Sequence, residues 1–356
     1  MAINIASFNV CSMSVSAGRK CPKDFSTMAK VILRTHADIV ALQEVVDQDS
    51  INHLVANLQR LSAGTHEWRD SFKREKTHRN NREGYAVLWN ERAVSLARDK
   101  DGEPIKPEIM TRYVSLKRPP MVARFRVHKL GELDYEICVI NTHIVFNEDN
   151  YLHAHEHKDW YGANAMRALE YEKIVKDIYP LFSNHLCTYT VIAGDYNLSG
   201  LFMDKVNAIG NGKGDRPQMK TVQYQKSTIK TVERTPQSDI SQCANETERK
   251  GGLFAAVYNG ILSLFSGDKD SANTPNAKAA NSDEKPHPVA DGDYASNYDH
   301  FSSSVERVAG YVKKPHRLDI PASLFPLIDH RFHAYKGSIS DHVPVVASLD
   351  LHTATA

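Results

Sequence analysis

The feature that most constrains this chain is a set of short β-like runs, each followed by a polar residue able to bind a metal or move a proton. Residues 3–10 (INIASFNV) form such a run, with Asn9 near its end. Residues 38–43 (DIVALQ) are almost continuously apolar, as a strand buried on both faces requires, and Glu44 follows directly. Residues 135–143 end in His143, and residues 189–195 (YTVIAGD) lead through Asp195 to Asn197. Asp341 and His342 stand immediately before a last candidate strand at 343–351. Runs at 84–89 and 121–127 are rich in β-branched and aromatic residues, and strand-like character resumes at 294–305.

Helical spacing separates several of these runs. Phe25, Met28, Val31 and Ile32 predict a helix over 24–36, and 50–61 predicts a second with Ser50 as its N-cap. A third is expected over 164–178, ending before Pro180. The mixture implies an α/β or α+β class with a mainly β core. One stretch departs from it. Residues 266–292 contain no Leu, Ile, Met or aromatic residue, too little apolar surface to offset the entropy of ordering. A mobile loop is expected there, inside an insertion at 200–293 of a single domain spanning 1–356.

Composition excludes some classes. With 41% hydrophobic and 24% charged residues, the chain can bury a core and is neither disordered throughout nor collagen-like. The near-apolar run at 252–265 is interrupted by Asn259 and is shorter than the ~20 residues of a spanning helix, so no membrane partner is expected. The start, MAINIASFNV, has no basic region before an apolar stretch, which argues against a signal peptide. The five cysteines are scattered and form no CxxC pair, so reduced thiols and a cytoplasmic location are expected. Basic and acidic residues balance at 44 against 43, so no global field marks a nucleic-acid partner. The local run at 73–82 (KREKTHRNNR) is different, with five Lys/Arg and one His. Alone it reads as a solvated loop or a phosphate-binding rim.

Taken together, the strand-end residues are hard oxygen donors plus two histidines, the components of a magnesium-dependent phosphoesterase. Six motifs carry a closer likeness: SFNV at 7–10, DIVALQEV at 38–45, NTH at 141–143, GDYN at 194–197, NYDH at 297–300 and SDHVPV at 340–345. In kind and order they resemble the endonuclease/exonuclease/phosphatase family, whose members include deoxyribonucleases, apurinic endonucleases, sphingomyelinases and inositol-polyphosphate phosphatases. The resemblance implies a four-layered sandwich of two packed, mainly antiparallel β-sheets flanked by helices. It also implies Mg2+, with Mn2+ able to substitute, held by Glu44 with Asn9 and Asp341 nearby. Asp195 would orient or deprotonate the attacking water, and Asn197 would hydrogen-bond the scissile phosphate. His342 would stand against the phosphate with Asp299 fixing its tautomer, and His143 would be the second histidine, partnered by Glu83. Arg118, in RPPMVARF, would grip phosphate.

The family resemblance constrains the reaction more than the substrate. A monomeric nuclease acting on DNA is favoured by the basic run just before Glu83. A diesterase or phosphatase for lipid or inositol phosphates is the alternative, although the WCDR-like run of inositol phosphatases is absent. A catalytically dead binding protein is disfavoured because each ionisable group is present. The tyrosine that secreted nucleases carry just before Glu83 is replaced by Asn81 and Arg82, a departure from their minor-groove grip. His153, His155 and His157 read as surface residues, and Trp160 and Tyr161 as a packing anchor for the next helix.

Overall fold

Strand alternation sorts the side chains of β1 (Ala2–Met13) between two cores. Ile3 and Ile5 point to one side, Ala6, Phe8 and Val10 to the other. The computed structural model describes residues 2–15, 23–74, 83–112, 116–128, 135–144, 163–183, 189–212, 214, 217–222, 298–304, 312–317, 335–336 and 338–350. These fall within one compact unit formed by 1–230 and 289–356.

β1 pairs in parallel with β2 (Ile39–Val45), which pairs antiparallel with β4 (Gly84–Asn90), itself flanked by β3 (Trp68–Arg74). On its other side β1 pairs antiparallel with β13 (Val345–Asp350), and β12 (Val312–Arg317) completes the sheet. The second sheet runs β10 (Met219–Val222), β11 (Asp299–Ser304), β9 (Tyr189–Asp195), β8 (Glu136–His143), β7 (Met121–Val127) and β5 (Val94–Leu96). A short strand, β6 (Glu108–Ile109), also pairs with β7. Only β1–β2 and β8–β9 are parallel among the described pairs.

The two sheets pack through the shared core of Ile3, Ile5, Ile39, Ala41, Val87 and Trp89 against Ala123, Phe125, Ile137, Val139, Val191 and Phe301. The outer face of the first sheet is covered by α1 (Phe25–Arg34) and α2 (Gln48–Leu61). α3 (Ala163–Lys173), a π turn (Ile174–Ile178), α4 (Tyr179–Ser183) and α5 (Gly200–Asn211) cover the second. The order is helix, sheet, sheet, helix, the four-layered sandwich expected. Among the described residues no helix is long and apolar enough to cross a membrane.

Local chemistry moves some boundaries. The α2 cap is Asp47, not Ser50: its Oδ1 accepts the Ser50 N–H at 2.8 Å, while the Ser50 hydroxyl donates to the Asp47 carbonyl. Helical structure does not end before Pro180. The π turn shifts the hydrogen-bond pattern and leaves Pro180 in the first turn of α4, where its missing N–H costs little. In the first part of the 200–293 range, α5 packs on the second sheet and β10 extends it. The remainder of that range, the loop at 266–292, most of the basic run and the histidines at 153–157 lie outside the described residues.

Gly194 is set by a close approach. It pairs with Thr142 across β8–β9 at φ 154°, and a Cβ there would stand 1.8 Å from the Thr142 carbonyl oxygen. Gly194→Ala should therefore destabilise the fold by more than about 2 kcal/mol in urea unfolding, through strain in both ladder strands. Gly214→Ala, with nothing within 4 Å of the added carbon, should stay within about 0.5 kcal/mol of the parent.

Candidate active site

The inter-sheet core changes character at one end. The residues of β1 that face the second sheet run Ile3, Ile5, Ser7, Asn9, and those of β2 run Ile39, Ala41, Gln43. Across the interface β8 runs Ile137, Val139, Asn141, His143, while β9 ends Ala193, Asp195 beside Asp299 of β11. Each strand is apolar until its last one or two inward positions. Because the turnover falls at the same height on several strands, the polar groups form a layer, not scattered points.

The lower row of that layer ties the sheets together. Gln43 Nε2 donates to Asn141 Oδ1 at 2.8 Å and to Ser7 Oγ at 3.2 Å. Asn141 Nδ2 returns hydrogen bonds to the carbonyls of Leu42 and Ala86, at 3.0 and 3.2 Å, on the opposite sheet. Both amide nitrogens and the Asn141 oxygen are thereby satisfied, while Gln43 Oε1 is buried with no hydrogen-bond partner.

Above this row sit the reactive groups. Asn9 Nδ2 lies 3.0 Å from Glu44 Oε1 and 3.1 Å from Asp195 Oδ2, bridging a carboxylate of each sheet. Its own oxygen accepts the Cys11 N–H at 2.9 Å, so Asn9 serves as a bridging donor. Carboxylates only accept, and two of them orient the amide nitrogen inward. Ser12 Oγ donates to Glu44 Oε2 at 3.2 Å.

Asp195 Oδ2 is the point of convergence. His143 Nε2 lies 3.8 Å from it and His342 Nε2 lies 3.7 Å from it. His342 Nδ1 is 2.8 Å from Asp299 Oδ2, the partnership expected from the sequence. Burial pulls the His342 imidazole toward its neutral form, but the charges of Asp299 and Asp195 and the Asp299 hydrogen bond outweigh it and raise the pKa. Asp195 is pushed up by burial and by Asp299, against the attraction of His342. His143 goes the other way: burial, then the Arg118 and His342 charges, hold it well below the ordinary histidine range.

Arg118 adds to the last shift, after burial, and stands between Glu83 and His143. Its Nη1 stands 2.6 Å from His143 Nδ1, and its Nη2 is 2.7 Å from Glu83 Oε2. Glu83 is thus linked to His143 through the guanidinium instead of directly, because the planar fork spans both groups. Nη1 also lies 3.2 Å from His143 Nε2, and that ring nitrogen faces Glu44 and Asp195 at 3.8 Å each.

Asn197 holds its place by strain and by hydrogen bonds. Its φ is 52°, its N–H donates to Asp195 Oδ1 at 2.9 Å, and its Nδ2 donates to the Ile144 carbonyl at 2.7 Å. Glu44, Cys11 and Ser12 also have positive φ, at 61°, 48° and 56°. Such backbone costs of order 1–3 kcal/mol per residue and persists only where surrounding contacts enforce it. Four such residues border one layer.

A divalent cation fits the oxygen donors present. Asp341 Oδ1 is buried with no hydrogen-bond partner, a poor state for a carboxylate oxygen unless something positive meets it. The Cys11 thiol hydrogen-bonds Asp341, and burial, the Asp341 charge and the Glu44 charge push it up to about 12, against Lys23. Among the described residues, Glu44, Glu83 and His143, and separately Asp195, Asp299 and His342, bring ligand atoms within 4.8 Å of one another, donor sets that could hold a divalent cation.

Several supporting residues escape sequence reasoning. Ser340 Oγ donates to the Asn9 carbonyl at 2.6 Å and accepts the His342 N–H, and Tyr85 accepts the His143 N–H. Gln43 and Asn141 lie inside quoted motifs without an assigned role. Arg167 and Glu170 on α3 carried no signal beyond helix propensity.

The endonuclease/exonuclease/phosphatase family model matches residues 3–239. The chain belongs to this family. It is accordingly a hydrolase of a family whose enzymes generally depend on divalent metal, and its site has groups able to bind one. Among solved structures it is similar to ANGEL2, a 2′,3′-cyclic phosphatase, in complex with adenosine-2′,3′-vanadate. The identity is 13%, covering 98% of this chain and 96% of that one, with a TM-score of 0.50. An endonuclease/exonuclease/phosphatase from Bacteroides vulgatus is 12% identical over 99% and 100% of the two chains, with a TM-score of 0.48. A Bacteroides thetaiotaomicron mannosyl-6-phosphatase is 12% identical over 98% and 100%, with a TM-score of 0.45. No curated protein matches the chain.

The Asp299–His342 contact generates a direct test. His342→Ala should lower kcat on the order of 10²-fold, and Asp299→Asn should also lower it by favouring the wrong tautomer. The double variant should be little worse than the worse single, because the two act as a unit. Multiplying losses in steady-state kinetics would show that the residues act independently.

Proposed function

We propose that this chain is a magnesium-dependent phosphodiesterase that cleaves a nucleic-acid backbone, DNA foremost, by attack of an activated water on phosphorus. The convergence of two histidine Nε2 atoms on Asp195 Oδ2, beside Glu44, carries the reading. Glu44 and Asp341 would hold the cation. When bound there, Mg2+ would supply charge neutralisation at the scissile phosphate.

The protein's groups divide the remaining work. Asp195, pinned through Asn9 and Asn197, is placed to orient the water and accept its proton. His143 offers an N–H to a phosphate oxygen while Arg118 fixes its tautomer. His342, kept cationic by Asp299 and Asp195, sets positive charge where the pentavalent transition state gains negative charge. Arg118 and Asn197 complete the phosphate cradle.

Support for a polymeric substrate comes from the first sheet's edge. Lys73 and Arg74, the first two residues of the basic run, end β3 opposite Tyr85 and Gly84, next to Glu83. Purified protein incubated with supercoiled plasmid, RNA and a phosphoinositide panel, each with Mg2+ or EDTA, tests the assignment. Plasmid cleavage abolished by EDTA is expected, and turnover confined to phosphoinositides would overturn it.

Two variants sharpen the reading. Glu44→Gln keeps size and removes charge, so activity should collapse at low Mg2+ and recover in part at high Mg2+ in a titration. Neutralising Lys73, Arg74, Lys76 and Arg79 together should weaken DNA binding uniformly and flatten the slope of log affinity against log salt by about one per lost contact. Hydrolysis of a nitrophenyl phosphodiester should hardly change in that variant.

A further inference from the structure

A buried charge is expensive, and α3 carries two of them. Arg167 is 5% exposed and Glu170 is 7% exposed, three residues apart and so on one face of the helix. The rest of that face is apolar, with Ala168, Tyr171 and Ile174 in the outer core of the second sheet. A methionine or leucine would fill either place at less desolvation cost, so packing alone does not account for them.

Their contacts do. Arg167 Nη1 donates to the Asn197 carbonyl at 2.9 Å and to Asn164 Oδ1 at 3.1 Å. It therefore grips the peptide that follows the strained, positive-φ Asn197, and its charge is felt by Asp195. Glu170 Oε1 accepts the Lys117 N–H at 3.1 Å, the residue directly before Arg118. One helix thus reaches two separate segments of the site, the turn after β9 and the lead into β7. Both segments deliver a group to the phosphate cradle.

We propose that Arg167 and Glu170 are positioning residues: α3 sets Asn197 through Arg167 and Arg118 through Glu170, fixing the width of the phosphate cradle from behind. The inference rests on the phosphodiesterase reading of the site. A guanidinium suits the first task because it can hold a carbonyl and an amide oxygen at once in a fixed plane. A carboxylate suits the second because it accepts a backbone N–H without offering a competing donor. Misplacement of catalytic groups by about 1 Å can cost about 10²-fold in rate, so modest slack would register.

Double-variant kinetics on a nitrophenyl phosphodiester test it, with thermal melts run on every variant. Arg167→Met should lower kcat about tenfold or more with a smaller change in KM. In the Asn197→Ala background it should cost less than about twofold, because the side chain it positions is gone even though the carbonyl it holds remains. Glu170→Ala should likewise lose its effect in an Arg118→Ala background. Glu170→Gln, which keeps an acceptor oxygen at the same length, should recover most of the loss. Full multiplication of the effects in both backgrounds would overturn the proposal, as would a kcat loss that merely follows the melting temperature. Should Arg167→Met fail to fold, Arg167→Lys, which keeps charge and loses the fork, takes its place in the same cycle. If Asn197→Ala and Arg118→Ala both retained full activity, the phosphodiester site itself would be misassigned, a result separable from additivity.

Discussion

Two amides hold this site open at a fixed width. Gln43 stands on one sheet and Asn141 on the other; the Gln43 amide donates to the Asn141 oxygen, and the Asn141 amide donates to the Leu42 and Ala86 carbonyls across the floor of the polar layer. Each is a near neighbour in sequence of a reactive residue, Gln43 of Glu44 and Asn141 of His143. The spacing between the Glu44 side and the His143 side is therefore set by polar contacts of defined length above the apolar inter-sheet core. Asn9, bonded to carboxylates of both sheets, uses that spacing directly. If the sheets separated, both its bonds could not survive.

Around that spacing the electrostatics sort the two histidines. Both imidazoles approach one carboxylate oxygen, yet they differ in charge because their other nitrogens meet opposite partners. Asp299 stabilises a cation at His342, whereas Arg118 disfavours one at His143. The same ring chemistry thus yields one charged group and one neutral donor a few ångströms apart, without any difference in burial being needed.

The polar layer was legible in the sequence where Glu44, His143 and Asp195 fall at or near the ends of strands with strong apolar runs, and the fold follows from the same runs. Asp299 opens β11, whose DHFSSS carries no such signal, and it was reached through the family resemblance alone. Edge elements were less legible. β3 reads WRDSFKR and β12 reads VKKPHR, charged or proline-bearing sequences that suit an exposed edge and disguise a strand. α5 contains Gly200 and Gly210, which weaken its helical signal. The Arg118 bridge was missed for another reason: spacing along a chain says nothing about which of two acceptors a guanidinium will meet.

The placement of β1 has a consequence for how the protein comes to be active. Its neighbours are β2, which follows it closely, and β13, whose register pairs Ala2 with Asp350. Asp341 and His342 lie on the segment that leads into β13. Loop-closure entropy makes such distant pairing slow, and during synthesis it must wait until the late strand has emerged. The nascent chain can build the layer from Asn9 to Asp195 well before Asp341 and His342 arrive. Under the proposed function, hydrolytic competence waits for the segment that leads into β13 to dock beside β1, and a chain cut before Asp341 would lack both of the layer's residues that this segment carries.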